Sequence, residues 1–317
     1  PAGSLDIEHL YPMDFEEFLY ANGVGGLVVK SMRDCFLEKK PLSEALHGKM
    51  LDFFKKYLLV GGLPQAVDAY VRTKNIAEFR RIQGEVHAMY GIDASKYEVE
   101  HGKRLKIRRI FDMIPSSLEN KKKRVVIRDI EGKKWKRSDD YVDEFEYLIS
   151  SGIALDVKAI SKPSYPLIEN SGKNLMKLYL NDVGILSGIY YRNNVSAVMS
   201  DVKSINLGSV YETVVAQELR AHGYELYYYD NKKNGEVDYL IDDSDHLSNI
   251  PLEVKSGKDY TVHSALDKFM SIEEYNIRNA YVLSNEREVT VRNGITYIPI
   301  YYVMFFENAP SGKELLV

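Results

Sequence analysis

Three charged residues in the last third of the chain have the types and spacing of a metal-dependent hydrolytic site. Asp238 lies in an alternating segment that predicts a strand over 236–241, and Glu253 and Lys255 lie in a second predicted strand over 251–256. Side chains alternate between the two faces of a strand, so Glu253 and Lys255 share a face. If the two strands pair as a hairpin, all three side chains meet at its edge.

The chemistry that these groups could perform is phosphodiester hydrolysis. Two carboxylates at short range bind a hard cation such as Mg²⁺ or Mn²⁺. A lysine beside them can orient a water molecule or stabilise the negative charge of the transition state. A second interpretation is non-catalytic: the acidic cluster pairs internally with Lys255, and the fold serves as a binding or assembly module for DNA or a protein partner.

A helix predicted over 210–222 adds two further carboxylates. Glu212 and Glu218 fall within its apolar arc rather than on its polar side. A carboxylate on a buried helix face requires a partner. Glu212 is therefore a candidate third ligand of the same metal, whereas Glu218 could either join it or pair with a cation in the core.

Basic residues are concentrated in one stretch of the chain. Residues 101–140 hold 14 Lys and Arg against 6 Asp and Glu, although the whole chain has a formal net charge of −4. The candidate nucleic-acid contacts are Lys121, Lys122, Lys123, Arg124, Lys133, Lys134, Lys136 and Arg137. Such a patch can neutralise phosphates. The alternatives are a solvated face or a docking surface for an acidic protein partner.

The elements that must position these residues predict an α+β fold in three regions. Residues 1–106 form a helical module, with a capping box that begins at Asp14 and amphipathic helices over 42–57, 64–72 and 76–90. The last region, 200–317, contains the candidate site. Its predicted order is helix, three strands, helix and strand, with a final strand-rich stretch over 295–305, and this order predicts an α/β domain.

Residues 107–195 have the order of a winged helix-turn-helix: helix, short element, helix and a two-stranded ribbon. Pro115 is expected to shorten the first helix. Acidic residues cluster in and just before the second helix, predicted over 141–151, and phosphates would repel them. We therefore expect a structural segment, or one that binds DNA through its basic flanks without reading its sequence.

Specific motifs add a family resemblance. The last region resembles the PD-(D/E)xK nuclease-like fold. The motifs that carry this likeness are Gly208-Ser209-Val210-Tyr211-Glu212, Gly235-Glu236-Val237-Asp238 and Glu253-Val254-Lys255-Ser256-Gly257. The likeness implies that Glu212, Asp238 and Glu253 are metal ligands and that Lys255 positions the water.

The whole chain resembles the C-terminal part of a prokaryotic AAA-type ATPase family. The motifs are His9-Leu10-Tyr11-Pro12-Met13-Asp14-Phe15-Glu16-Glu17-Phe18, Gly61-Gly62-Leu63-Pro64 and Lys177-Leu178-Tyr179-Leu180-Asn181-Asp182-Val183-Gly184. The resemblance implies that Pro1 falls near the end of an ATPase core and that lid-like helices follow. No Gly-rich loop ending in Gly-Lys-Ser/Thr is present, so no ATP site is expected in this chain.

Composition excludes several other classes. Among 317 residues, 45% are hydrophobic and 28% charged, which is ordinary for a globular protein. No apolar stretch of about 18 residues predicts a membrane span. The single cysteine, Cys35, cannot form an internal disulfide, and the start lacks a secretory signal, so a cytoplasmic location is expected. The seven histidines lack zinc-site spacing. The expected partners are DNA, a protein or a second copy of the chain.

Overall fold

The computed structural model describes residues 9–96, 101–132, 136–200, 207–257 and 259–308, and within residues 94–96, 101 and 171–174 it describes the backbone only. It confirms a mixed α+β fold with a helical N-terminal region and one eight-stranded sheet. In the described part of the chain, no helix combines the length and the apolar character that a membrane span requires.

The first half of the chain is mainly helical, and further helices occur in the second half. The α-helices are α1 (Phe15–Ala21), α2 (Gly26–Leu37), α3 (Glu44–Val60), α4 (Pro64–Thr73), α5 (Ile76–Lys96), α6 (His101–Glu119), α7 (Ile127–Glu131), α8 (Val142–Ser150), α9 (Val183–Tyr191), α10 (Val195–Met199), α11 (Gly208–Ala221) and α12 (Ser264–Met270). Short 3₁₀-helices span Ser138–Tyr141, Leu167–Asn170, Glu273–Tyr275 and Ile300–Phe305. The predicted capping box is present: Asp14 accepts a hydrogen bond from the backbone N–H of Glu17, whose side chain accepts one in return.

The strands form a single mixed sheet. They are β1 (Ala154–Ile160), β2 (Ser171–Leu180), β3 (Tyr227–Asn231), β4 (Gly235–Asp243), β5 (Ser248–Val254), β6 (Ala280–Ser284), β7 (Thr290–Arg292) and β8 (Ile295–Pro299). Their order across the sheet is β2-β1-β3-β4-β5-β6-β8-β7. The predicted hairpin is confirmed, because β4 and β5 pair antiparallel.

The two-stranded ribbon of the middle region is part of this same sheet. β1 pairs antiparallel with β2 and parallel with β3, with Ala159 opposite Tyr228. The helices before it follow the predicted order, but the ribbon does not stand apart as a free wing. Residues 107–195 and 200–317 therefore share a sheet.

Two predicted elements differ from the structure. Pro115 does not shorten its helix, since α6 continues to Glu119. An internal proline costs about 3 kcal/mol, but Phe111, Ile114 and Leu118 are fully buried on both sides of it, and their burial outweighs that cost. The stretch 295–305 is a strand only as far as Pro299, after which the chain turns into a buried 3₁₀-helix.

A buried carboxylate fastens the helical region to the rest of the fold. Asp182, at the start of α9, is fully buried and accepts hydrogen bonds from the backbone N–H of Gly62 at 2.6 Å and of Ile185 at 3.0 Å. Burial raises the pKa of Asp182 to about 6, although these backbone donors oppose the shift. Gly61 has a positive φ of 73°, and a Cβ there would overlap the Asp182 carboxylate.

A second buried carboxylate extends this junction. Glu218 of α11 accepts hydrogen bonds at 2.9 Å from the hydroxyl of Tyr57 and from the backbone N–H of Phe15. The neighbouring Gln217 donates to the same hydroxyl at 2.8 Å. Burial, followed by repulsion from Asp14, raises the pKa of Glu218 to about 8. Glu218 therefore joins a polar junction with the N-terminal helices, where its described partners are neutral donors.

Replacement of Gly61 by alanine should destabilise the fold. We expect Gly61→Ala to lower the free energy of unfolding by at least about 2 kcal/mol, because the new Cβ adds a strained φ to a clash with Asp182. Gly48→Ala is the matched control: Gly48 is exposed within α3 and nothing lies near its added Cβ, so a gain of about 0.5–1 kcal/mol is expected. Urea unfolding measures both, and an unchanged midpoint for Gly61→Ala would contradict this account.

The stability of the junction should depend on pH. The pKa of Glu218 rises from an ordinary 4.5 to about 8 on folding, so the folded chain holds a proton that the unfolded chain has lost across that window. Its contribution is fully present below pH 4.5 and is lost as the pH rises through about 8. In Glu218→Gln, the free energy of unfolding should therefore fall less than in the wild type as the pH rises from about 5 to 9. Urea unfolding across that range tests this, and identical pH slopes for wild type and variant would disprove it.

Candidate functional site

The hairpin of β4 and β5 brings Asp238 and Glu253 together. The last paired residues toward this end are Tyr239 and Leu252, so the register sets Asp238 across from Glu253. Opposed residues on one face of an antiparallel pair lie about 5 Å apart at Cβ, and like charges there are destabilising. Two acidic side chains at these positions therefore need compensation.

Hydrogen bonds fix both carboxylates. The backbone N–H of Val254 donates to Oδ2 of Asp238 at 2.9 Å. Nζ of Lys255 donates to Oε1 of Glu253 at 2.8 Å. The other carboxylate oxygen of Glu253, Oε2, is buried and has no hydrogen-bond partner among the described residues. One acidic oxygen is thus left unpaired in the interior of the site.

Helix α11 adds Glu212 from the adjacent layer. Its side chain is 5% exposed and forms an ion pair with Lys123, which lies between α6 and α7. The hydroxyl of Tyr179 on β2 donates to Oε2 of Glu212 at 3.0 Å, and the hydroxyl of Tyr239 donates to its backbone oxygen at 2.7 Å. The middle region therefore supplies two of the groups that hold this carboxylate.

Lys177 also belongs to the site, although it was not among the candidate site residues that the sequence indicated. It is fully buried on β2, with Nζ 2.7 Å from Oε1 of Glu236 and 4.7 Å from the ring centre of Tyr228. Strand alternation places Lys177 and Tyr179 on one face, which is the signal that could have identified it. The motif Lys177-Leu178-Tyr179-Leu180 carried only the family resemblance.

The charged groups of the cluster shift one another's pKa values. Burial, then the charges of Glu253 and Glu212, raise the pKa of Asp238 well above its usual value. Burial also raises the pKa of Glu253, against the attraction of Lys255. Burial acts on Glu212 in the same direction, but Lys177 and Lys123 outweigh it, so the pKa of Glu212 is lowered. The sequence-predicted set of Glu212, Asp238, Glu253 and Lys255 is thus close enough to interact electrostatically.

Part of the basic patch faces this acidic cluster. Lys122 and Arg124 pair with Asp230 at 3.3 and 2.6 Å, and Lys123 pairs with Glu212. Lys121 and Arg137 are exposed, and Lys136 lies 3.5 Å from Asp140. Lys133 and Lys134 lie outside the described residues. The segment 121–124 is therefore a border of the site, and its middle residues compensate carboxylates of the C-terminal region.

The groups able to hold a divalent cation here are the oxygens of Asp238 and Glu253, with Glu212 beside them. Within the described ranges, no cluster of three or more His, Cys, Asp and Glu side chains is arranged to hold a metal ion. Mg²⁺ commonly keeps several water ligands and uses only one or two carboxylates. The donor types and the unpaired oxygen of Glu253 fit such a partly hydrated cation.

Comparison with protein families finds two matches, both to domains of unknown function. Residues 207–303 match DUF4143, a domain found in AAA-ATPase-associated proteins, and this segment contains Glu212, Asp238, Glu253 and Lys255. Residues 51–195 match DUF8612, and this segment contains Lys123 and Lys177. No curated protein and no solved structure matches the chain. The site draws its groups from both matched segments.

Removal of the Lys177 charge should destabilise the fold. Lys177→Met leaves buried carboxylates without a buried counter-charge, so we expect the free energy of unfolding to fall by about 3–5 kcal/mol. The matched control is Lys158→Met on the neighbouring strand β1, where the side chain is 43% exposed and pairs with Asp156 at 3.3 Å; a change within about 1 kcal/mol is expected there. Urea unfolding measures both variants. Equal effects would contradict a special role for Lys177.

Proposed function

We propose that the cluster of Glu212, Asp238, Glu253 and Lys255 is a divalent-metal-dependent phosphodiesterase site that acts on DNA. The observation that carries the proposal is the buried, unpaired Oε2 of Glu253, which lies on a carboxylate opposite a second carboxylate, Asp238. A buried anionic oxygen without a partner is costly. A bound cation would remove that cost.

The charge balance of the described cluster supports a missing cation. Glu212 pairs with Lys123, Glu253 with Lys255, and Glu236 with both Lys177 and Arg124. Asp238 forms no ion pair with the described basic residues, and burial, together with repulsion from Glu253 and Glu212, raises its pKa. A divalent cation would relieve the repulsion and keep Asp238 ionised.

Lys255 has the properties of a charge-stabilising donor. The pull of Glu253 and Asp238 outweighs burial and raises its pKa, so it remains an ammonium at neutral pH. It therefore donates hydrogen bonds rather than removing protons. In the proposed reaction its Nζ orients the attacking water or contacts the phosphate oxygens as negative charge develops. The bound cation would supply Lewis acidity and a water of lowered pKa.

Two roles remain for the groups around this centre. Val254 holds the Asp238 carboxylate through its backbone N–H, which occupies Oδ2 and leaves Oδ1 for the proposed cation. Glu212, anchored by Lys123 and Tyr179, provides the second wall of the site. These contacts pre-position the acidic groups before substrate binds.

The proposed substrate is the DNA backbone, bound without sequence reading. The exposed residues of the basic patch, Lys121 and Arg137, are available to phosphates. Acidic residues in and before α8 make a groove-reading role unfavourable for that helix. Given the match to a domain found in AAA-ATPase-associated proteins, we further propose a cytoplasmic role beside an ATPase, with no ATP site on this chain.

A non-catalytic module is the second candidate function. The observation that favours it is that lysines already form ion pairs with two of the carboxylates: Lys255 pairs with Glu253, and Lys123 pairs with Glu212. In this alternative the ion pairs are permanent and the fold serves assembly or DNA binding. The two candidates differ in one measurable property, which is the affinity of the cluster for a divalent cation.

Calorimetric titration with Mn²⁺ and Mg²⁺ tests the proposed site. We expect saturable binding to the wild type, and a loss of about tenfold or more in affinity for Asp238→Asn, which keeps the acceptor for Val254 but removes the charge. Glu274→Gln, an exposed residue remote in sequence from the cluster, is the control and should bind like the wild type.

Cleavage of branched and single-stranded DNA should follow the same order of variants. Metal binding that Asp238→Asn leaves unchanged would place the cation elsewhere and overturn the assignment. No binding in any protein would leave the non-catalytic module as the function.

A further inference from the structure

A cavity of about 250 Å³ lies between α5 and α9, in a part of the fold that the proposed function does not use. Its polar lining comes from Arg80, Gln83 and His87 on α5 and from Arg192 and Asn193 just after α9, and Ile185 and Ile189 form its apolar wall. None of the residues that line it is acidic. The lining residues therefore carry a net positive charge.

Hydrogen bonds hold Arg80 at one corner of its guanidinium. Its Nη1 atom donates to the carbonyl oxygens of Leu59 and Gly184 at 3.2 and 3.1 Å, to Oε1 of Gln83 at 2.8 Å and to Oγ of Ser187 at 3.1 Å. These acceptors fix the plane of the group. They are all uncharged, and the buried Asp182 attracts the charge of Arg80 without forming a hydrogen bond to it.

The other nitrogens of Arg80 are buried and unused. Nε and Nη2 are shielded from solvent and have no hydrogen-bond partner among the described residues. An unsatisfied buried donor is rare in proteins and unfavourable, more so when it is charged. The burial of Arg80 lowers its pKa to about 10, so it is still a cation at neutral pH. Two parallel donors on one edge match a bidentate oxyanion.

His87 and Arg192 add to this arrangement. The ring of His87 stacks on Phe111 at 4.9 Å between centres, and its Nε2 atom is also buried without a partner in the described structure. Arg192 has a left-handed φ of 50° at the end of α9 and an exposed side chain that lines the cavity. Two arginines, one anchored and one exposed, and a histidine thus line the same cavity.

Gly188 keeps this space compatible with Arg80. A Cβ at Gly188 would lie 3.1 Å from Nη1 of Arg80 and 3.2 Å from Oε1 of Gln83, closer than ordinary packing. A side chain there would displace the anchored guanidinium. The absence of one keeps Arg80 at the wall of the cavity.

We propose that this cavity is a binding site for the phosphate group of a small molecule. Binding requires a small shift of the Arg80 side chain that brings Nε and Nη2 to the surface of the cavity, where they donate to phosphate oxygens, and Arg192 closes over the anion from the solvent side. The volume and the apolar wall of Ile185 and Ile189 fit a small organic body attached to the phosphate. The site is independent of the metal-dependent cluster.

Calorimetry with three probes tests the proposal and identifies the source of the phosphate. Orthophosphate is the phosphate group alone. Pyrophosphate adds a second phosphate, and adenosine monophosphate adds an organic nucleoside. We expect saturable binding of at least one probe. Tighter binding of adenosine monophosphate would assign the apolar wall to an organic body, and tighter binding of pyrophosphate would assign the site to a polyphosphate.

Variants separate this site from general charge attraction. Arg192→Gln should weaken binding by about tenfold or more, because a charged hydrogen-bond donor is lost at an exposed position that does not support the fold. Arg80→Lys should weaken it further, since lysine keeps the charge but loses the fork. Arg81→Gln, exposed on the same helix and paired with Glu85, is the matched control and should bind like the wild type.

Two outcomes would overturn the proposal. One is the absence of saturable binding of all three probes at about 10 mM. The other is equal weakening by Arg81→Gln and Arg192→Gln, which would mean that the anions respond only to net charge. A thermal melt of each variant without ligand confirms that it is folded.

Discussion

The buried carboxylates of Glu212, Asp238 and Glu253 repel one another at one end of the central hairpin, and lysines from other segments balance their charge. The lysines that do so come from three separate segments: Lys123 precedes α7, Lys177 lies on β2 and Lys255 follows β5. A buried acidic group that loses its partner costs several kcal/mol. The middle of the chain is therefore required for the C-terminal region to bury its own acidic residues.

Helix α11 transmits this constraint to the N-terminal helices. Its Glu212 faces the acidic cluster, and Glu218, about 9 Å further along the helix axis, faces Tyr57 and Phe15. The two environments give the same residue type opposite properties: paired lysines lower the pKa of Glu212, whereas burial raises that of Glu218. One helix thus serves an ionised site and a protonated junction.

Local patterns in the sequence predicted the groups that share a strand or a helix. Alternation identified Asp238, Glu253 and Lys255, and the misplaced glutamates of α11 identified buried positions. Local patterns could not predict that Lys123 compensates Glu212, because the two residues lie 89 positions apart in sequence and meet only in the folded chain. For the same reason the basic patch resembled a free surface, although its middle residues face acidic ones.

The two family matches are separated by a short gap in the sequence, but the sheet contains strands from both matched segments. DUF8612 ends at residue 195 and DUF4143 begins at residue 207, yet β1 and β3, on either side of that gap, are hydrogen-bonded neighbours about 70 residues apart in sequence. Such long-range parallel pairing forms late, since loop closure must precede any gain in contacts. During synthesis β1 and β2 must therefore wait as an incomplete sheet edge until β3 leaves the ribosome. The two matched segments are separate in sequence but contribute strands to one hydrogen-bonded sheet.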